Sequence, residues 1–415
     1  LITNAGDSLY RVAITWLVYS ITGSAFFTSL AAALAYIPEV IAFLIGPLVD
    51  RSSKKKIIIM AEFFQLVLII IVTVMLFNNI NNIYFILIVV FLASIAVQFT
   101  YPAESAFIPI LVPRKDLPKA NAMMVFSYQG TDMLFNGLAG FLIAVWSISS
   151  IFMIDVVTFT LAILCFNLIS VKKQSSEENE KLKSTNKEIK SSMKEYRIEL
   201  VQGLKLLTNP IIFHSKIPAV ISNLFFAGAL AILPVYSDVV GGGPQFYGLL
   251  LALYTVGNVV GSFYTPFLKN VAIGKILYPT YIVSGVFWFV AIVLGSYGLT
   301  TLTLIIFALS GIPQGIGNNA SSLITQCIVP RDMLGRLSSA IGTLLTIGMP
   351  LGAVLGGIVA ESFGTEIVMG VNGIAIATMG AYYMFSKTVK NIPTAEEIIP
   401  IDPHQMKNNE NQKAN

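Results

Sequence analysis

GPLVDRSSKKK, Gly46 to Lys56, separates two long apolar runs. Gly46, Pro47 and Asp50 close the first run, Arg51 and Lys54 to Lys56 follow, and the second run begins at Ile57. In water this would be an ordinary turn between helices. Between two membrane-length runs it is a cytoplasmic hairpin, because clustered Lys and Arg stay on the inner side of a bilayer. That assignment fixes the direction of every other span.

The composition demands a bilayer. Of 415 residues, 55% are hydrophobic and 12% charged, against about 25% charged in a soluble domain. The net charge of +4 does not point to nucleic acid, since the basic residues fall between apolar runs and form no single face. Cys165 and Cys327 both lie inside apolar runs and suggest neither a disulfide framework nor a metal site. No nucleophile–base arrangement stands out, so an enzyme is not expected, and no cofactor is implied. The chain has no Gly-x-x-x-x-Gly-Lys-Ser/Thr loop, so ATP is not expected to drive it. It opens at Leu1, without Met and close to an apolar run, and reads as an N-terminally incomplete copy.

Twelve apolar runs lie at about 1–22, 25–49, 57–77, 83–110, 119–146, 150–171, 211–238, 245–268, 275–297, 300–328, 336–360 and 365–386. With the opening hairpin inside, the inner segments are 50–56, 111–118, 172–210, 269–274, 329–335 and the tail after 386, and they carry nearly all the Lys and Arg. The outer segments carry none, and Asp238, Glu361 and Glu366 sit on that side. Both termini are therefore expected in the cytoplasm. Residues 172–188 read as a flexible linker. After it, Ile189, Met193, Tyr196, Leu200, Leu204 and Leu207 mark one face of a basic amphipathic helix, lying on the inner leaflet or packed under the bundle. The tail after Lys390 is polar and expected to be disordered.

An internal repeat recurs at an offset of 217: Val18-Tyr19-Ser20 returns as Val235-Tyr236-Ser237, and Val112-Pro113-Arg114 as Val329-Pro330-Arg331. The expected layout is a six-helix half over 1–171, a cytoplasmic linker over 172–210, a second six-helix half over 211–386 and a tail over 387–415. Repeated halves with substrate bound between them are the build of an alternating-access transporter.

Gly46, Leu48, Asp50, Arg51, Lys54 and Lys55 resemble the signature between the second and third helices of the major facilitator superfamily. Asn4 to Asp7, the run Pro102 to Pro113, and Gln202-Gly203 followed by Asn209-Pro210 resemble its branch of macrolide-efflux and enterobactin-exporter relatives. The resemblance spans the chain and implies an all-α membrane protein of twelve transmembrane helices in two pseudo-repeated halves. Two departures stand out. Ser53 replaces the second signature glycine, and the family's basic residue in the fourth helix has no counterpart between Tyr84 and Thr100. The resemblance also implies that Asp50 meets the N-terminal end of the eleventh helix, just after Leu334-Gly335, and so latches the inner side shut. A carboxylate there is favoured by the helix dipole. Arg11 and Arg331 are the expected replacement partners for the missing charge.

Ionisable side chains inside the spans are costly, so each is a functional candidate. Asp7 and Arg11 lie one turn apart and can pair on one helix face. The plain alternative to a proton-exchanging pair is a self-neutralised structural one. Glu39 follows Pro38 in mid-span, and Asp132 lies between Gly130 and Gly137 in the fifth run. Carboxyls in a low-dielectric setting hold their protons more tightly, as a proton-coupling or cation-drug site needs. Gly130, Gly137 and Gly140 occupy the place of the family's antiporter motif; the plain reading is close helix packing. Glu104 is expected to gate or brace by pairing with Arg11 or Arg51. Glu62, within reach of the hairpin lysines, and Asp155 are read as structural. The second half looks nearly free of buried charge, since Asp7 and Arg11 correspond to Leu224 and Gly228. It offers Tyr254, Asn258, Gln314 and Asn318 as an aromatic, weakly polar substrate wall, although most such residues in a bundle are core or lipid-facing.

The sequence therefore points to a monomeric exporter in a bacterial cytoplasmic membrane. It would extrude an amphipathic, macrolide-like small molecule in exchange for protons, surrounded by membrane lipid and with no nucleic-acid partner. Export of a siderophore or other endogenous metabolite, and a non-transporting receptor on the same fold, are the alternatives.

Overall fold

Backbone amides inside hydrocarbon must find partners within their own segment, so membrane-length apolar runs become helices. The computed structural model describes residues 2–42, 45, 49, 52–146, 148–169, 209–329 and 341–398. Among them every regular element is helical. The first half contributes α1 (Ile2–Thr22), α2 (Ala25–Ile41), α3 (Lys54–Phe77), α4 (Ile83–Leu111), α5 (Leu117–Val125), α6 (Thr131–Val145) and α7 (Ile148–Leu168). A five-residue π turn, Phe126–Gly130, joins α5 to α6. The second half contributes α8 (Pro210–Ala231), α9 (Leu233–Val239), α10 (Gly243–Tyr264), α11 (Ile273–Ser296), α12 (Thr300–Ile328), α13 (Met349–Phe363) and α14 (Thr365–Phe385). Each of the twelve apolar runs contains described helix, and nine of the described helical stretches are long and apolar enough to cross a membrane. The expected linker and amphipathic helix over 172–208 lie outside the described residues. A short helix, α15 (Lys387–Lys390), follows α14. Beyond it the chain stays against the start of α11, where the Ile273 and Gly274 amides donate to Pro393 O at 3.0 Å and Ile392 O at 3.2 Å.

The chain divides into two compact units. The first gathers the described helices α1 to α7 with residues 226–252 and 349–368; the second gathers the described parts of 197–225, 253–348 and 369–415.

Glycines set the spacing within the first unit. A Cβ on Gly140 of α6 would stand 2.6 Å from Gly248 N and 2.8 Å from Pro244 O, so α6 and α10 meet backbone to backbone. At the repeat offset of 217, Gly140 corresponds to Gly357 of α13. Gly357 presses equally closely on Ser29 and Ala25 of α2. The repeat is thus one of packing as well as of sequence, and small residues are what allow such approaches in a membrane. Gly228, at the position corresponding to Arg11, lies 2.8 Å from Gly352 O by the same construction; a guanidinium has no room there. Val49 of the opening hairpin and Ile45 and Ile58 on either side of it are buried in one cluster with Ala103 and Phe107 of α4.

The second unit has its own seam. Gly257 and Gly261 of α10 face the backbone of α12, and Gly311 and Gly315 of α12 face the backbone of α10. Beside it, Trp288 stacks at a tilt on Phe307, with centroids 4.4 Å apart, and meets the Tyr254 ring edge-on at 5.3 Å.

Adding bulk at these seams must push helices apart, and overpacking of this kind costs about 1–3 kcal/mol. Gly140→Val and Gly315→Val should therefore lower the melting temperature of the detergent-purified protein. Gly342→Ala, whose new Cβ would meet nothing within 4 Å, should leave it unchanged. Equal melting of all three variants would refute the seam assignment.

Candidate functional site

Spacings of three and four place Asn4, Asp7, Ser8 and Arg11 on successive turns of α1. Across from them the π turn delivers the start of α6. Asn4 Nδ2 donates to Ser127 O at 3.0 Å. The Ser8 hydroxyl lies between Asn4 O, at 2.7 Å, and Asp132 Oδ1, either of which can accept its one hydrogen. Arg11 forms an ion pair with Asp132. The helix-local Asp7–Arg11 pair expected from the sequence is replaced by this pair between helices, because α6 presents a carboxylate to the same guanidinium. The pair remains accessible: its side chains are 59% and 39% exposed. Helical π turns occur often at functional sites, and this one stands directly before Asp132.

Arg11 has two further charged neighbours. One is Asp7, half-buried on its own helix; the other is Glu39, exposed on α2 after Pro38. Along α1, Trp16 stacks on Tyr247 with ring centroids 6.2 Å apart, giving the charged group an aromatic flank.

The other acids of the first half find different solutions. Glu104 accepts a hydrogen bond from Tyr128 OH at 2.7 Å; of the two arginines expected beside it, Arg11 pairs with Asp132 and Arg51 lies outside the described residues. Glu62 does not reach the hairpin lysines. It is completely buried, and neither carboxyl oxygen has a hydrogen-bond partner among the described residues. Asp155 is also completely buried; the Thr158 hydroxyl lies 2.8 Å from Asp155 O and 3.3 Å from Oδ1, either of which can accept its one hydrogen, and Oδ2 has no partner among the described residues.

Of the hairpin residues, Gly46, Asp50 and Arg51 lie outside the described residues, as does Arg331. Lys54 opens α3. Lys55 Nζ donates to Asn167 O at 3.0 Å and Ile169 O at 2.8 Å, so a cation caps the C-terminal end of α7.

Two acids at the opposite end of the first unit have partners that sequence spacing does not predict. Asp238 accepts from Tyr19 OH at 2.7 Å. Glu361 Oε2 accepts from the Ser24 hydroxyl and the Phe26 amide, both at 3.1 Å, and so sits on the N-terminal end of α2. Lys216 is the exception to a second half free of buried charge. It is 5% exposed, and its ammonium donates to Ser321 O at 2.7 Å and Ser321 Oγ at 2.8 Å. A lysine inside the seventh apolar run was the available signal.

The proposed wall residues lie within the second unit. Gln314 Oε1 accepts from the Ser284 hydroxyl at 3.0 Å, and Asn318 Oδ1 from Tyr281 OH at 3.1 Å. Asn258 Nδ2 donates to Tyr254 O at 3.3 Å. Asn318 is exposed, and Tyr254, Asn258 and Gln314 are half-buried.

A family model described as transmembrane secretion effector matches residues 1–412. Macrolide efflux protein A of Streptococcus pyogenes is 24% identical over 370 residues, 88% of each chain. An uncharacterized MFS-type transporter of Bacillus subtilis, YvqJ, is 25% identical over 398 residues, 93% of this chain and 90% of that one. Among solved structures, a bacterial homologue of the iron transporter ferroportin in its inward-facing state superposes with a TM-score of 0.73 at 16% identity, covering 94% of this chain and 96% of the other. A bacterial homologue of the lysosomal transporter Spinster gives 0.68 at 11% identity, covering 92% and 95%.

An accessible ion pair contributes at most about 1 kcal/mol to stability. The double variant Arg11→Gln/Asp132→Asn should therefore melt within a few degrees of wild type. A large loss of stability would mark the pair as a structural brace.

Proposed function

The chain belongs to the transmembrane secretion effector family of the major facilitator superfamily, and on that premise we propose that it exports amphipathic, macrolide-like drugs in exchange for protons. The transporter would work by alternating access in a bacterial cytoplasmic membrane, with both termini on the cytoplasmic side. The observation that carries this reading is the accessible Arg11–Asp132 pair with Asp7 and Glu39 as further acidic neighbours. Similarity to a protein named for macrolide efflux supplies the substrate class.

One guanidinium cannot neutralise three carboxyls at once. Its position decides which carboxyl ionises and which keeps a proton. While Arg11 holds Asp132, Asp7 and Glu39 are the groups open to protons or to a cationic drug. When a proton settles on Asp132, the attraction is lost and Arg11 is free to turn to Asp7 or Glu39. Proton uptake at one carboxyl is thereby tied to drug release at another. The weakly polar wall of Tyr254, Asn258, Gln314 and Asn318 suits a large apolar ring with few fixed hydrogen bonds.

The test is accumulation of a radiolabelled macrolide in pump-deficient cells carrying the chain. An uncoupler should raise accumulation to the level of cells lacking it, and Asp132→Asn should reduce efflux at least tenfold. Export that ignores the uncoupler would exclude proton coupling. Export by Asp132→Asn at the wild-type rate would remove the pair from the mechanism.

A further inference from the structure

Glu62 and Asp155 are unused by the exchange just described, and their surroundings are unusual. Glu62 comes from α3 and Asp155 from α7, and both are completely buried. Three of their four carboxyl oxygens have no hydrogen-bond partner among the described residues. The acidic neighbours of Glu62 are Asp7 of α1, Glu104 of α4 and Asp155 of α7, so acids face it from each of these helices. Tyr10 of α1 buries beside Asp155 and Asp7 a hydroxyl with no partner among the described residues, and Tyr128 is bonded to Glu104. No Lys or Arg side chain among the described residues pairs with Glu62 or Asp155; Arg11 is engaged by Asp132.

A dry carboxylate without a partner cannot persist as an anion: it binds a cation or a proton. A metal is the less suitable occupant, because no three acid, His or Cys side chains converge as a ligand shell among the described residues. The repeat gives an independent indication. At the offset of 217, Asp155 corresponds to Asn372, which is also completely buried, with both amide atoms unpartnered among the described residues. The second half thus fills the same position with a neutral group of the same shape.

We propose that Glu62 and Asp155 are proton-binding residues, forming with Asp7 a dry reservoir behind the Arg11–Asp132 pair. In the state described, both buried carboxyls carry their protons. Asp7 is the half-buried member, and Glu104 beside it is half-buried too, so protons enter and leave the group there. A proton passing from a Glu62 carboxyl to an ionised Asp7 leaves Glu62 as the anion, and the number of protons in the group is unchanged until Asp7 releases one. The role as a store for exchange rests on the antiport reading; the protonation of Glu62 and Asp155 does not.

The experiment is infrared spectroscopy of the purified full chain in lipid nanodiscs at neutral pH, reading the C=O stretch of protonated carboxyls without substrate. Wild type should show bands that exchange slowly in D2O. Glu62→Gln and Asp155→Asn should each remove one component, and both should fold, since each swaps a neutral group for a neutral isostere. The absence of such bands in the unaltered chain at neutral pH would overturn the proposal without recourse to any variant. So would a spectrum unchanged in both variants. A second arm measures macrolide efflux against external pH: Glu62→Gln should still bind drug but lose the pH response. Loss of the bands with no macrolide efflux in any form would uphold the proton site and reject the export reading.

Discussion

Charge balance in a low dielectric governs the first half. Each of its six apolar runs carries one carboxyl: Asp7, Glu39, Glu62, Glu104, Asp132 and Asp155. Deep in those runs Arg11 is the one basic residue, Lys119 lying at the start of the fifth. An ionised side chain in hydrocarbon costs at least a few kcal/mol, so this excess of acids shapes everything around it. Asp132 takes the arginine and Glu104 a tyrosine hydroxyl. Glu39 stays exposed. Asp155 has a threonine on one oxygen, and Glu62 has no partner among the described residues. The arrangement has no single fully neutralised state unless protons complete it.

Close packing makes that arrangement possible. Asp155 lies so near the α1 backbone that a Cβ on Gly6 would collide with its carboxyl and with the Thr158 hydroxyl. The glycine next to Asp7 is thus what brings two acids from different helices together. The same logic holds at the far end of the unit. Gly357 draws α13 onto α2, and four residues later Glu361 reaches the Phe26 amide and the Ser24 hydroxyl at the start of that helix. Small residues set the distance, and polar groups one turn away use it.

Periodicity and charge were enough to read an all-helical membrane fold in two halves and to mark the ionisable side chains inside its spans. They could not supply partners between helices. The i, i+4 rule paired Asp7 with Arg11, but it knows nothing of α6, which brings Asp132 to the same guanidinium. Glu62 is close in sequence to Lys54, Lys55 and Lys56, yet two turns into α3 its side chain is enclosed by the bundle. Lys55 meanwhile turns to the end of α7. Lys216 was legible by the same rule as the acids, as an ionisable residue inside an apolar run, and its carbonyl and hydroxyl partners on Ser321 were not.

The repeat separates what packing needs from what charge adds. Positions that pack are shared between the halves: Gly140 and Gly357 play one role at one offset. Positions that ionise are not. Arg11 corresponds to Gly228, Glu62 to Pro279, Glu104 to Ser321, Asp132 to Met349 and Asp155 to Asn372. Were the acids needed to hold a six-helix half together, the second half would need them too. It instead closes α12 on α10 with Gly311 and Gly315, and α13 on α8 with Gly228 and Gly356. The carboxyls of the first half are therefore an addition to a scaffold that can be built without them. Ionisable side chains retained inside a membrane at that cost are functional candidates by default.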